Sequence, residues 1–240
     1  MIKVLGSSSK GNCYLLECEG ERLLIECGFS YKKILEFLEY NLDILGCLVT
    51  HEHKDHCKAV VDLAKNGIDV YSSKGTFEGI GVSSHRFRVL IPNQQVKIGG
   101  FTVLPFQVEH DTNEPIGFLI HHRAIGKLLF VTDTFYLRYK FKDLNHILIE
   151  CNYSEDILKK NEESGKIDKW RRARVEKSHF SLENLIEFFK SNDLSEVKTI
   201  VLLHLSEDNG NNELFKKEVQ RATGKVVYVA DSNSSFELRR

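Results

Sequence analysis

Residues 46–60 read GCLVTHEHKDHCKAV. GCLVT has the apolar run of a buried strand, and the residues after Asp55 open a helix. Between them stand His51, His53 and His56, three of only ten histidines in the chain. A core is built from Leu and Val, and a solvated face from Lys and Glu. Three adjacent imidazoles repel one another when protonated and lose hydration when neutral. The cluster closes a strand at its C-terminal end, where α/β architectures place their sites. A strand-to-helix turn points His51 and His53 one way and starts Asp55 and His56 towards a neighbouring spot. A single ion does not accommodate all four side chains from so short a segment, whereas two ions about 3.5–4 Å apart do.

Working outward, the same placement recurs three times. His110 ends FTVLPFQVEH, Asp133 ends KLLFVTD and His204 ends TIVLLH. Each is a metal-binding residue type closing an apolar run. The expected metal ligands are therefore His51, His53, Asp55, His56, His110, Asp133 and His204. Imidazole and carboxylate without thiolate suit Zn and Mn equally, so the expected cofactors are two divalent ions, Zn or Mn.

The rest of the 240-residue chain is ordinary for a soluble α/β protein, with 42% hydrophobic and 28% charged residues. A net charge of −1 gives no global field for nucleic acid or acidic lipid, so polyanion binding needs a local patch. The six cysteines form no C-x-x-C pair, the start lacks the apolar core of a signal peptide, and no apolar run approaches the ~18 residues of a membrane span. The expectation is a cytoplasmic protein with free thiols and no membrane partner.

Short β-patterns fill the first half, with helical patterns at Tyr31–Tyr40, where Ser30 is placed to cap, and at Asp55–Asn66, ending at Gly67. Ile116–His121 and Lys127–Thr132 read as a hairpin around Ala124-Ile125-Gly126. The second half alternates strand and helix, with Ser181 placed to cap Leu182–Lys190. No Pro-, Gly- or Ser-rich linker interrupts residues 1–240, so one domain is expected, with two sheets sandwiched by helices.

THEHKDH matches the H-x-H-x-D-H signature of the metallo-β-lactamase superfamily, and His110, Asp133 and His204 fall where that family's remaining ligands fall. The resemblance covers nearly the whole chain. It implies a four-layer αββα sandwich of two mixed sheets flanked by helices, and a dinuclear centre. His51, His53 and His110 would hold one ion and Asp55, His56 and His204 the other, with Asp133 bridging. LGSSSKGNCYLL, LLIECGFS, ILIECNYSEDILKKN, KSHFSLENL and LLHLSEDNGN resemble the YycJ/WalJ-like branch, associated with nuclease-type phosphodiesterase activity. The last three are also similar to ribonuclease Z, in which a Glu after a strand and a His before a helix form a proton-donating pair. The matching residues are Glu150 and His179, which with Asp55 make the implied catalytic set. Glu26 in IECG stands where the family usually has Asp, a residue that supports the ligands.

The segment 166–179, KIDKWRRARVEKSH, carries Lys169, Arg171, Arg172 and Arg174 around the only tryptophan, Trp170. Cations beside an aromatic can track a phosphate backbone and stack a base, so these five are the candidate substrate-binding residues. A solvated loop or a helix–helix contact is the competing reading. The expected function is a metal-dependent hydrolase, a phosphodiesterase or exonuclease acting on nucleic acid or a nucleotide. Alternatives are a hydrolase of a cyclic nucleotide, thioester or lactam, and a non-hydrolytic metal or redox protein. A homodimer is one assembly open to the chain.

Overall fold

A computed structural model describes all residues 1–240. In chain order the strands are β1 (Ile2–Ser8), β2 (Gly11–Cys18), β3 (Glu21–Ile25), β4 (Cys47–Leu48), β5 (Val70–Ser72), β6 (Phe87–Val89), β7 (Val96–Ile98), β8 (Phe101–Gln107), β9 (Ile116–His122), β10 (Gly126–Val131), β11 (Leu144–Glu150), β12 (Thr199–Leu203), β13 (Val226–Val229) and β14 (Ser235–Phe236). The helices are α1 (Tyr31–Phe37), α2 (Lys54–Cys57), α3 (Val60–Lys65), α4 (Lys74–Ile80), α5 (Glu155–Glu163), α6 (Lys169–Ser178), α7 (Leu182–Ser191) and α8 (Asn212–Thr223).

The strands form two seven-stranded mixed sheets, β14-β1-β2-β3-β4-β5-β6 and β13-β12-β11-β10-β9-β8-β7. Period-2 alternation assigns each strand's two faces. Tyr14, Leu16, Leu23, Ile25, Leu128, Phe130, Leu148, Val201 and Leu203 fill the layer between the sheets. Leu129, Val131, Ile147, Ile149, Ile200 and Leu202 point outward beneath Leu185, Phe188, Phe189 and Phe215 of α7 and α8. On the opposite face, Cys13, Leu15, Leu24, Cys47 and Val49 pack under Ile34, Val60 and Leu63 of α1 and α3. The expected four-layer αββα sandwich is the observed architecture.

Turn chemistry sets the registers. Glu19 (φ 49°) and Gly20 (φ 86°) make the two-residue turn joining β2 to β3, both in the left-handed region that matches strand twist. The anticipated hairpin around residues 124–126 pairs β9 and β10 antiparallel. Ser181 caps α7, its hydroxyl accepting from Asn184 N at 3.0 Å. Ser30 occupies the cap position of α1 but makes no such bond. That helix also stops early, because Glu39 and Tyr40 turn left-handed.

The expected helix over Asp55–Asn66 is two helices, α2 and α3, broken at Lys58-Ala59. The residue after Glu26 causes the break. Cys27 N donates to His56 O at 2.8 Å, and Cys27 O accepts from Ala59 N at 3.0 Å, so a neighbouring strand end replaces the helix's own partners. Gly28 makes this approach feasible, since a Cβ there would lie 1.7 Å from Asp55 O. Helix α4, strand β14 and the helical state of 169–178 add to the expected elements.

One polar residue sits in the inter-sheet layer far from the strand ends that carry the histidine cluster. His146 is fully buried on β11, on the same face as Leu148, and neither ring nitrogen has a hydrogen-bond partner. Burial, reinforced by Lys198, pushes its imidazole down to about 4. An unfolded histidine titrates near ~6.5. The unfolded chain therefore binds more protons between those values, and the stabilisation is complete above ~6.5 and lost as pH falls towards the folded value. The expected loss at acid pH is about 1–3 kcal/mol. Denaturant titrations of the wild type and His146→Leu at neutral pH and near pH 4.5 test this; the wild type should lose more stability on acidification than the variant. Equal losses in the two proteins count against the assignment.

Candidate metal centre

All seven expected ligands meet at one end of the sandwich, beyond the C-terminal ends of β4, β8, β10 and β12. Parallel pairing makes this convergence geometric. Val131 faces Ile149 across β10–β11, and Glu150 faces Leu203 across β11–β12, so residues just past these strands are neighbours. Asp133 (φ 47°) and His204 (φ 52°) then turn back over the sheet in the left-handed region, as Glu26 (φ 62°) does on the facing sheet. Such conformations are costly for non-glycine residues and cluster at functional sites.

His51 Nε2 lies 3.2 Å from His53 Nδ1, which lies 3.1 Å from His110 Nε2. Asp133 Oδ2 is 3.9 Å from His51 Nε2, 3.8 Å from His110 Nε2 and 3.4 Å from His56 Nε2. On the other side, Asp55 Oδ2 is 3.4 Å from His56 Nε2 and 3.6 Å from His204 Nε2. Two donor groups result, His51/His53/His110/Asp133 and Asp55/His56/His204, each with its atoms within 4.8 Å of one another. Asp133 Oδ2 stands between them.

This arrangement fits divalent metal. The edge of a tetrahedron with metal–nitrogen bonds of ~2.0–2.1 Å is about 3.3 Å, close to the spacing of the three imidazole nitrogens. His204 Nε2 is buried and has no hydrogen-bond partner, although it faces Asp55. Lone pairs aimed at a common point inside a protein need a cation or a proton between them.

The surroundings orient His51, His110 and His204 by their other nitrogen, as is usual for metal-binding histidines. Thr50 Oγ1 is 2.9 Å from His51 Nδ1, and Ser178 O is 2.9 Å from His110 Nδ1. Glu26, fully buried, accepts from Thr50 N at 3.2 Å and sets Oε2 3.6 Å from His56 Nδ1. The longer carboxylate thus still holds the strand end and faces the ring, whose Nδ1 has no hydrogen-bond partner. Asn152 Nδ2 donates to His204 O at 2.8 Å. Ser7 Oγ accepts from Tyr14 OH at 2.6 Å and from His204 N at 2.8 Å, tying the two sheets together beneath the site. Glu52, the residue between His51 and His53, points away and accepts from Asn113 N. Ser7 lies in the polar loop LGSSSKGN that the sequence offers as a candidate pocket lining, whereas Thr50 and Asn152 escaped the sequence reading, because a lone Thr or Asn at a strand end has no spacing to flag it.

Electrostatics bind the cluster together. Burial pulls His204 down, but Asp133, Asp55 and Glu150 outweigh it and push the imidazole up to about 10. Burial and the neighbouring His56 hold His51 well below the ordinary histidine value. Burial works against ionised Asp133, yet His204 and His56 hold its carboxyl well below the usual range.

Glu150 and His179 lie beside the donors. His179 Nδ1 is 2.7 Å from Glu150 Oε1, which is also 3.1 Å from His204 Nδ1. Glu150 Oε2 accepts from Thr134 N and Phe180 N, each at 3.1 Å. Burial opposes the charge on His179, but Glu150 raises its pKa above the ordinary value.

The basic segment is helix α6, capped by Asp168, whose carboxylate accepts from Arg171 N at 2.7 Å. Its five candidates separate. Arg174 lines the cleft over the donors, 3.6 Å from Asp111 Oδ2, together with Lys54. Arg171 lines an adjoining cavity. Trp170 is 86% exposed and Lys169 is exposed beside it. Arg172 is the correction: its guanidinium is engaged by Glu162 of α5 and Glu176, a helix–helix tie that does not face the cleft.

Comparison with known proteins agrees with this fold. Residues 21–205 match the family model described as "Beta-lactamase superfamily domain". The chain is 31% identical over 234 residues to "Exodeoxyribonuclease YycJ" of Bacillus anthracis, covering 92% of this chain and 88% of the relative. It is 29% identical over 227 residues to "Exodeoxyribonuclease WalJ" of Streptococcus pneumoniae D39, covering 88% and 83%. In fold it is similar to the metallo-beta-lactamase fold protein YhfI from Bacillus subtilis, with a TM-score of 0.74 at 16% identity over 98% of each chain. It is also similar to the short form of human tRNase Z, with a TM-score of 0.64 at 17% identity over 100% and 99%. No helix is long and apolar enough to cross a membrane.

Removing a donor should remove metal. Asp133→Ala and His53→Ala, purified without chelator, are expected to lose most bound metal by elemental analysis while keeping wild-type circular dichroism. Glu26→Gln should retain the donors and weaken metal affinity by about 10–100-fold. Full occupancy in all three variants would place the metal elsewhere.

Proposed function

The chain belongs to the beta-lactamase superfamily, in its YycJ/WalJ branch, and on that premise we propose that its 240 residues form one hydrolase domain, a metal-dependent exonuclease that cleaves phosphodiester bonds in nucleic acid. The observation that carries this reading is the 2.7 Å pair of His179 and Glu150 beside the donor cluster. A thiolate leaving a thioester has little need of it, whereas a sugar alkoxide leaving phosphorus does.

In this reading His51, His53 and His110 would hold one ion and Asp55, His56 and His204 the second, with Asp133 placed to serve both. Two divalent ions, Zn or Mn by donor chemistry, supply Lewis acidity to a phosphoryl oxygen and lower the pKa of water. The chain's own groups do the rest. Asp55, partly exposed to the cleft, orients the attacking water as well as binding metal. Glu150 fixes the His179 tautomer, because Nδ1 faces the carboxylate and Nε2 is left to donate. The Glu150 carboxylate, by raising the pKa of the imidazole, favours its keeping that proton. Water attacks phosphorus, the bond to the leaving oxygen breaks, and His179 gives that oxygen its proton. Arg174 and Lys54 at the cleft mouth neutralise neighbouring phosphates, and Trp170, one helical turn beyond Arg174, offers a stacking face.

His179→Ala should keep its metal and lose about 10²–10⁴-fold of its activity on an oligonucleotide. It should lose far less on bis-p-nitrophenyl phosphate, whose phenolate departs unaided, and Glu150→Gln should follow the same pattern more weakly. A loss of metal, or equal slowing on both substrates, removes the proton-donor role. Arg174→Glu with Lys169→Glu should weaken binding to single-stranded DNA and flatten its salt dependence, since fewer counterions are released. An unchanged slope of log affinity against log salt would take α6 out of the binding surface.

A further inference from the structure

Helix α6 presents two adjacent rows of side chains to the site. Residues four apart lie one above the other on a helix face. Arg174 and Ser178 line the cleft directly over the donors. Arg171 and Val175, with His179 just past the end of the helix, line a second cavity of about 210 Å³ on the other side. His179, His204 and Ser9 border both. The helix is therefore a ridge dividing one site into two lobes that meet at the proton donor.

The second lobe has the chemistry of a nucleotide end. Ser8, Ser9, Asn152, Ser206 and Asn209 supply hydroxyl and amide groups. Arg171 shares its lining with two carboxylates, Glu207 and Asp208, each of which has a lysine partner outside the cavity. Lys10 pairs with Glu207 at 2.5 Å, bridging the β1–β2 hairpin and the turn after β12. Lys166 holds Asp208 at 3.0 Å, while the Arg171 guanidinium touches the same carboxylate only at 3.5 Å. The outer wall is fixed rather than loose. Ser206 N donates to Asn152 O at 2.9 Å, and Asn161 Nδ2 donates to Asp208 O at 3.0 Å and Asn209 Oδ1 at 2.7 Å.

We infer that this lobe is a terminal-nucleotide subsite, in which Arg171 receives a phosphate monoester at the end of the strand while the rest of the strand lies along Arg174 and Lys54. The inference rests on the proposed exonuclease reading and adds which end group the enzyme requires. The chemistry is self-consistent. Water adds to the scissile phosphorus, and the bond to the terminal nucleotide's oxygen breaks. That oxygen takes the His179 proton and the phosphate stays on the shortened strand. Each cut thus regenerates a phosphate-bearing end for the next round. The hydrogen-bonded wall at the far side of the lobe stands where an uninterrupted strand would have to continue.

The test uses the metal-loaded enzyme and linear single-stranded DNA carrying a hydroxyl or a phosphate at either end, with circular DNA and bis-p-nitrophenyl phosphate as companions. Expected results are a roughly 10-fold or greater preference, in kcat/KM, for phosphate on the degraded end, and little cutting of circles. Arg171→Ala should bring the phosphate-to-hydroxyl ratio towards one, and Arg171→Lys should restore part of it. Arg171 is exposed, so neither change threatens folding. A wild-type enzyme that degrades both ends alike, or circles as fast as linear strands, overturns the subsite while leaving the exonuclease or nuclease chemistry standing. A ratio that survives in Arg171→Ala overturns it as well. An enzyme that hydrolyses bis-p-nitrophenyl phosphate and no DNA, or neither, overturns the underlying reading too.

Discussion

The structure is organised around one buried carboxylate. Asp133 sits almost without solvent contact, with a single oxygen facing His51, His56 and His110. Burying that charge among imidazoles is unfavourable unless every partner is aimed at it. The aim comes from the sandwich. Strands from both sheets end at the same level, and left-handed residues turn their side chains inward over the core. The extensive apolar layer between the sheets holds these ends in register, so the backbone, rather than the ligands themselves, fixes the site.

Much of this was legible in the sequence because ligand chemistry and strand pattern coincide there. His51, His110, Asp133 and His204 each close an apolar run, and a run that ends in a ligand type is visible without any structure. The sandwich followed from alternating strand and helix patterns joined to the H-x-H-x-D-H signature. Less was legible where contact depends on distant backbone. The break between α2 and α3 is imposed by Cys27, about thirty positions away, and the helix pattern of residues 55–66 carries no trace of it. Glu26 was identifiable through resemblance, but its reach to Thr50 and His56 depends on the strand end. Composition likewise grouped Arg171, Arg172 and Arg174, although helical geometry sends them to an adjoining cavity, a seam with α5 and the cleft.

That division gives α6 a meaning its charge alone did not. A strongly basic helix is usually a solvated face. Here one row lines the cleft over the donors, a second lines the cavity beside His179, and a third locks the helix to α5. Arg172, with Glu162 and Glu176, holds the ridge in place so that Arg171 and Arg174 face opposite lobes. The pairing of His179 with Glu150 then stands at the crest, and the imidazole borders both lobes.

Gly28 touches no ligand atom and has no chemistry of its own. Yet the carbonyl of Asp55 passes through the volume its side chain would occupy, and that carbonyl belongs to a residue of the donor set. In a saturation library scored for activity, position 28 should therefore tolerate as few replacements as a ligand does. Its intolerance would arise from crowding between two backbones, so a map of mutational sensitivity around this site will mark the scaffold as sharply as the chemistry.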